Sequence, residues 1–175
     1  MKIVIAMDSF KGSLTSLEAG EAAAKGVTDL LPDSEIILMP LADGGEGTVS
    51  AIVNALGGEM VPAVVRGPLG TLIESSYGMV CAADDTGTSR VTALIEAADA
   101  AGLTKVPSSL RNPRKTTTAG LGDLIRHAVT RGIKDFVIGI GGSATNDCGL
   151  GMMESLGARF FDEAGELVGG TGDDE

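Results

Sequence analysis

The residues best suited to chemistry lie in the run Phe136-Val-Ile-Gly-Ile-Gly-Gly-Ser-Ala-Thr-Asn-Asp-Cys-Gly-Leu-Gly-Met152, where an apolar stretch breaks into glycines interleaved with Ser143, Thr145, Asn146 and Asp147. Glycines at 139, 141, 142, 149 and 151 let the backbone reach positive φ or come close to a ligand. They do so at an entropic cost that an ordinary turn need not bear so often. Bare amides, hydroxyls, an amide side chain and a carboxylate at the end of a strand suit a phosphate or sugar-acid site. Ser143, Thr145 and Asn146 can donate to phosphate oxygens, and Asp147 can hold a metal or accept a proton from an alcohol. A structural turn accounts for one or two of the glycines and for Asn146, but not for the whole row.

Two smaller clusters share this setting. In Asp8-Ser-Phe-Lys-Gly-Ser13, Lys11 beside Gly12 and Ser13 can hold an anion through an ammonium, a hydroxyl and free amides at a helix start. A solvated loop lysine is the alternative. In Asp43-Gly-Gly-Glu-Gly-Thr48, Asp43 and Glu46 flank Gly44 and Gly45, an arrangement for ligating Mg²⁺ or supplying a general base. The plainer account is that acids at a helix N-terminus favour its dipole.

All three clusters are expected where strands end and helices begin, the place where open α/β sheets put their ligands. Lys2–Met7 reads as a buried strand, and Thr15-Ser-Leu-Glu18 has capping-box spacing ahead of a helix that runs to Pro32. Residues 34–39 read as a second strand. Residues 47–56 read as a helix closed by Gly57-Gly58, and 60–65 as a third strand. This alternation predicts parallel α/β winding. The rhythm then changes, with an antiparallel pair expected at 72–80 and 90–95 around the polar turn 83–88. A helix is predicted over 117–131, a buried strand over 135–140, a helix from about 149 to 156 and a hairpin over 159–168. The expected organisation is a Rossmann-like parallel α/β portion at 1–66, part of a mixed α/β inserted domain at 67–168, and a disordered tail at 169–175. The domain change falls near Arg66–Gly70.

Composition excludes several functions. The chain has 175 residues, 43% of them hydrophobic, enough for a core. Its net charge of -11 repels nucleic acid and anionic membranes, and with no Trp and one Tyr it offers few stacking platforms for bases. No apolar run approaches the roughly 20 residues of a membrane span, and the two distant cysteines show no metal-like spacing, which fits a reduced, cytoplasmic protein. The basic cluster Lys105, Arg111, Arg114 and Lys115 reads as a solvated loop, with an anion-steering rim for a small acidic substrate as its functional alternative. His127 reads as a surface or packing residue. There is no G-x-x-x-x-G-K-[ST] run, and the first strand-to-helix turn lacks G-x-G-x-x-G. Both absences weigh against a P-loop site and against a nicotinamide-dependent oxidoreductase.

Four ordered motifs, MDSFKGSLTSLEAGEAAAKG at 7–26, PLADGGEGT at 40–48, RNPRKTTTAGLGDLI at 111–125 and GIGGSATNDCGLGMMESLGA at 139–158, together resemble the bacterial glycerate kinase family, with spacing kept from residue 1 to about 168. The resemblance implies ATP-dependent phosphorylation of D-glycerate, commonly to 2-phosphoglycerate, with Mg²⁺, in a cleft between a Rossmann-like domain and an inserted mixed α/β domain. Carried onto this chain, it implies cleft residues Asp8, Ser9, Lys11, Asp43, Glu46, Ser143, Asn146 and Asp147, with the glycines at 44, 45, 141 and 142 beside them. Lys11 would meet phosphate or the glycerate carboxylate, and Asp43 or Asp147 would be base or Mg²⁺ ligand. On that basis Asp147→Asn is expected to cost more in turnover than in stability. Cys148 and Ala119 stand where the family usually has glycine and an aromatic. The family's chains are also roughly twice this long on the domain-size scale. The chain is therefore expected to be the N-terminal portion of the enzyme. The alternative is a catalytically inactive fragment that binds a small anion or associates with other chains. Apolar sheet edges left without their return strands would favour such association, homo-oligomers included.

Overall fold

The computed structural model describes residues 1–10, 13–83 and 87–169. Lys11, Gly12, the centre of the expected polar turn at 84–86 and the expected tail from 170 onward lie outside the described residues, as do the expectations placed on them. The chain is α/β and divides into two compact units, Met1–Asp43 and Gly44–Glu175.

The first unit is a β-α-β element. Strand β1 (Lys2–Met7) and β2 (Glu35–Pro40) pair in parallel, from Lys2 opposite Glu35 to Met7 opposite Pro40. Helix α1 (Ser16–Leu30) makes the crossover that parallel neighbours require. The capping box forms as its spacing predicts: Thr15 Oγ1 accepts from the Glu18 amide at 3.2 Å, and Glu18 Oε2 accepts from the Thr15 amide at 2.8 Å. Strand β1 is not fully buried, because its side chains alternate between exposed and half-buried. Among the described residues of this unit one helix, α1, is available to cover the pair.

The second unit is built on a mixed four-stranded sheet of order β3-β4-β5-β6, formed by Glu59–Arg66, Leu72–Ala83, Ser89–Glu96 and Asp135–Gly139. The expected antiparallel pair is present as β4 and β5. The expected third parallel strand is different: β3 pairs antiparallel with β4. The segment predicted to mark a domain change is the tight connection between them. It is closed by Gly67 N donating to Thr71 O at 2.7 Å, with Gly70 at φ +81°. A strand-helix-strand rhythm fixes neither the partner nor the direction of the third strand, and this turn decides both. Strand β6 runs parallel to β5, reached through helix α4 (Ala119–Thr130). As the edge of the sheet, β6 is not the buried strand expected; Val137 is 54% and Ile140 79% exposed.

Both faces of this sheet carry helices. On one, Val61, Val65, Tyr77 and Ile95 meet Leu121 and Leu124 of α4 and Ala97 and Ala100 of α3 (Ala97–Ala101). On the other, Val49 and Val53 of α2 (Thr48–Leu56) meet Val80 and Leu94. Gly78 makes that second contact possible, since a Cβ there would lie 2.4 Å from Val53 Cγ2. Helix α5 (Leu150–Ser155) follows the glycine-rich loop, and Phe160–Phe161 with Leu167–Val168 forms the expected hairpin as β7 and β8. His127 packs edge-on against Tyr77, with ring centroids 5.7 Å apart.

Candidate active-site loop and pocket

The glycine-rich loop leaves the C-terminal end of β6 and enters α5 at Gly149, which adopts φ +77°. Its first turn lies against the Gly44-Gly45 backbone. Gly141 N donates to Gly44 O at 3.0 Å, and a Cβ on Gly141 would stand 2.8 Å from both Gly45 Cα and N. Gly139 is constrained in the same way, its Cβ position falling 2.5 Å from Gly44 O. The structure therefore brings Gly44, Gly45, Gly141 and Gly142 together. The glycines at 139 and 141 are explained by backbone meeting backbone, without a ligand.

Asp147 is 1% exposed. Its Oδ2 accepts from the Thr118 amide and the Thr118 hydroxyl at 2.8 Å each and from the Gly151 amide at 3.2 Å, while Oδ1 accepts from the Gly149 amide at 3.2 Å. Thr118 Oγ1 in turn accepts from the Met152 amide at 3.0 Å. A carboxylate so engaged satisfies the orphan donors at the start of α5 and ties that start to the start of α4. Its neighbour Cys148 holds φ +49°, the left-handed region, which explains why glycine suits this position. Cys148 and Cys81 are both exposed, and neither is in a disulfide.

A second buried carboxylate, missed from sequence, holds the other glycine loop. Glu96, 3% exposed at the end of β5, accepts from the Gly47 amide at 3.1 Å and from the Val49 amide, capping α2 from the strand beneath it. Burial pushes the Glu96 carboxyl up, against the pull of the Val49 and Gly47 hydrogen bonds, and the charges of Asp99 and Glu46 add to the rise. Burial likewise raises Asp99, with Lys105 opposing and Glu46 assisting. The sequence signal was an acid directly after the apolar run Ala93-Leu-Ile95, although such an acid is as often solvated.

The other end of the loop is open. Ala144 N donates to Ala101 O at 2.8 Å and Leu103 N to Gly142 O at 2.9 Å, so the loop is stitched to the chain leaving α3. Between them lies a pocket of about 260 Å³. Leu103, Val106, Pro113 and Ala144 give it apolar walls, and Arg111, Asn112, Thr116, Ser143 and Thr145 give it polar ones. Ser143 and Thr145 share a hydrogen bond of 2.7 Å between their hydroxyls, and buried Thr116 donates to Ala144 O at 2.8 Å. Asn146 is exposed, as is Glu46.

The remaining expected residues lie in the first unit. Asp8 is exposed and accepts from the Ser9 amide at 2.6 Å, and Asp43 is exposed at the unit's end. Lys11 is outside the described residues. Among the described residues no group of three or more His, Cys, Asp or Glu side chains is placed to hold a metal ion, and no helix is long and apolar enough to cross a membrane.

Comparison with known proteins adds the following. A model of the glycerate kinase family matches residues 3–174. Glycerate kinase of Bacillus subtilis (strain 168) is 48% identical over 172 residues, which are 98% of this chain and 43% of that protein. Glycerate 2-kinase of Escherichia coli (strain K12) is 46% identical over 169 residues, 97% of this chain and 42% of that protein. A crystal structure assigned to glycerate kinase 2 of Salmonella typhimurium LT2 superimposes with a TM-score of 0.77 at 46% identity, covering 99% of this chain and 45% of the other. The chain thus spans less than half the length of the relatives it matches.

Proposed function

The chain belongs to the glycerate kinase family, and on that premise we propose that it forms the N-terminal portion of an enzyme transferring the γ-phosphoryl of ATP to a hydroxyl of D-glycerate, with 2-phosphoglycerate as the product. The observation that carries this reading is the loop at Gly141–Gly149. Its fixed end positions an open pocket lined by hydroxyls, an amide and a guanidinium, the donors that an acid or phosphoryl oxygen needs. Phosphoryl transfer calls mainly for positioning and charge neutralisation, with no covalent nucleophile from the protein. Loop amides would serve the transferred group.

When bound with the nucleotide, Mg²⁺ would neutralise phosphate charge. Asp147 does not fit it, because four donors already engage its two oxygens. An exposed carboxylate such as that of Glu46 does fit, since Mg²⁺ bound with phosphates can take a single carboxylate and keep several waters. With Glu46 holding the metal, Asp43 is our assignment for the base, and Asp147 is assigned to holding the loop. The setting is cytoplasmic, where ATP is supplied.

The test is ADP release by the 175-residue chain with D-glycerate, ATP and Mg²⁺, with the product identified by ³¹P NMR. Saturable release with 2-phosphoglycerate formed supports the proposal. Glycerate binding without turnover supports the alternative of an inactive fragment. Absence of both defeats the reading.

A further inference from the structure

We propose that the pocket between residues 103–116 and Ser143–Thr145 is the carboxylate-recognition subsite for the three-carbon hydroxy acid, with Arg111 as the residue that reads its charge. The inference rests on the glycerate kinase reading and adds to it the side chains that select the substrate. In a chain of net charge -11, residues 102–118 carry Lys105, Arg111, Arg114 and Lys115 and no acid. No acid lines the pocket either. Such a local field attracts a small anion against the repulsion of the whole.

The donors are held before any ligand arrives. Arg111 Nε donates to Val106 O at 3.2 Å and Nη2 to Leu103 O at 3.3 Å, which anchors the guanidinium on the 3-10 turn Leu103–Lys105. Among the described residues the rest of its fork meets no protein acceptor. Asn112 Oδ1 accepts from the Arg114 amide at 3.1 Å, which fixes the side chain and leaves its NH₂ group as the donor end. Ser143 and Thr145 share one hydrogen bond, so whichever hydroxyl donates, the proton of the other remains for a ligand. The walls are tied to each other through Leu103 N to Gly142 O and Thr116 Oγ1 to Ala144 O. Donors fixed in this way lose little entropy on binding.

A planar fork pairs bidentately with a planar carboxylate, and the apolar walls suit the C–H face of a short carbon skeleton. The same donors would also take a phosphoryl oxygen of the nucleotide, and the experiment separates the two. Calorimetric titration of the chain is carried out with D-glycerate, with its neutral amide D-glyceramide, and with ADP plus Mg²⁺. Wild type should prefer glycerate to glyceramide. Arg111→Gln should weaken glycerate roughly 10- to 100-fold, the range of a charge-assisted hydrogen bond, abolish that preference, and leave ADP within about twofold. Asn112→Ala, on the exposed rim, should weaken glycerate by a smaller factor and spare ADP. An unchanged preference in Arg111→Gln overturns the assignment while leaving the kinase reading intact. A loss falling on ADP overturns it too and gives the pocket to the nucleotide. Wild-type protein that binds no glycerate at all overturns the pocket and the kinase reading together.

Discussion

The two ends of the Gly141–Gly151 loop are made from the same kinds of residue and sit in opposite surroundings. At one end Asp147, Gly149 and Gly151 turn inward, and every carboxylate oxygen faces protein donors. At the other, Ser143 and Thr145 face a pocket whose far wall carries Arg111 and Asn112. Side-chain type alone does not distinguish holding from binding; burial and the direction of the donors do. The acid that invites a catalytic role from sequence is buried and hydrogen-bonded at both oxygens, and the arginine that reads as loop solvation lines the pocket.

The largest test of this contrast is Asp147→Ala. Removing the acceptor leaves three backbone amides and a hydroxyl without their partner, and we expect about 3–5 kcal/mol lost in urea denaturation. A loss below about 1 kcal/mol with turnover abolished would return Asp147 to a catalytic role. The expected cost thereby moves from turnover, where the sequence put it, to stability.

A third buried acid extends the holding end. Asp123 on α4 accepts from Arg66 Nε at 2.9 Å, from Arg66 Nη2 at 2.8 Å and from Ser155 Oγ of α5 at 2.6 Å. Burial alone would raise its carboxyl, but the hydrogen bonds from Arg66 and Ser155 outweigh burial and hold it well below the ordinary value of 3.8. The unfolded chain therefore takes up this proton first. The stabilisation is complete above about pH 4 and is lost as pH falls through the depressed folded value. Asp123→Asn should cost about 2–4 kcal/mol at neutral pH and flatten the acid limb of stability against pH. An acid limb identical to that of wild type would show that Asp123 does not carry it.

Gly141→Ala sharpens the comparison at the point where the two glycine loops touch. The new methyl meets Gly45 backbone atoms at 2.8 Å, and backbone cannot swing aside as a flexible side chain does. A loss of about 1–3 kcal/mol is expected by denaturation, whereas an unchanged midpoint would mean that the loops separate freely. The smallest effect has the opposite sign. Cys148→Gly relieves a left-handed residue, and a gain of about 0.5–1 kcal/mol in unfolding free energy is expected; a loss would show that the thiol's own contacts outweigh the strain.

Much of the local structure was legible. The capping box at Thr15–Glu18, the end of α2 at Gly57 and the antiparallel pair β4–β5 depend on residues close in sequence, where propensity and turn chemistry act directly. What escaped depends on distant partners. The direction of β3 was decided by the turn at Gly67–Thr71, and the exposure of β6 by its place at the sheet edge. Glu96 and Thr118 were missed because their partners lie 47 to 49 and 29 residues away. The contact of the glycines at 139 and 141 with Gly44-Gly45 escaped as well, since the need for a bare backbone is the same whether a phosphate or another backbone approaches.

The division of the loop is most directly tested by amide chemical shifts of the ¹⁵N-labelled chain titrated with D-glycerate. Saturable shifts should be largest at Leu103, Val106, Arg111, Asn112, Ser143 and Thr145, while Asp147, Gly149 and Gly151 stay nearly still. Shifts centred on Asp147–Gly151, with the 103–116 segment unmoved, would contradict the account.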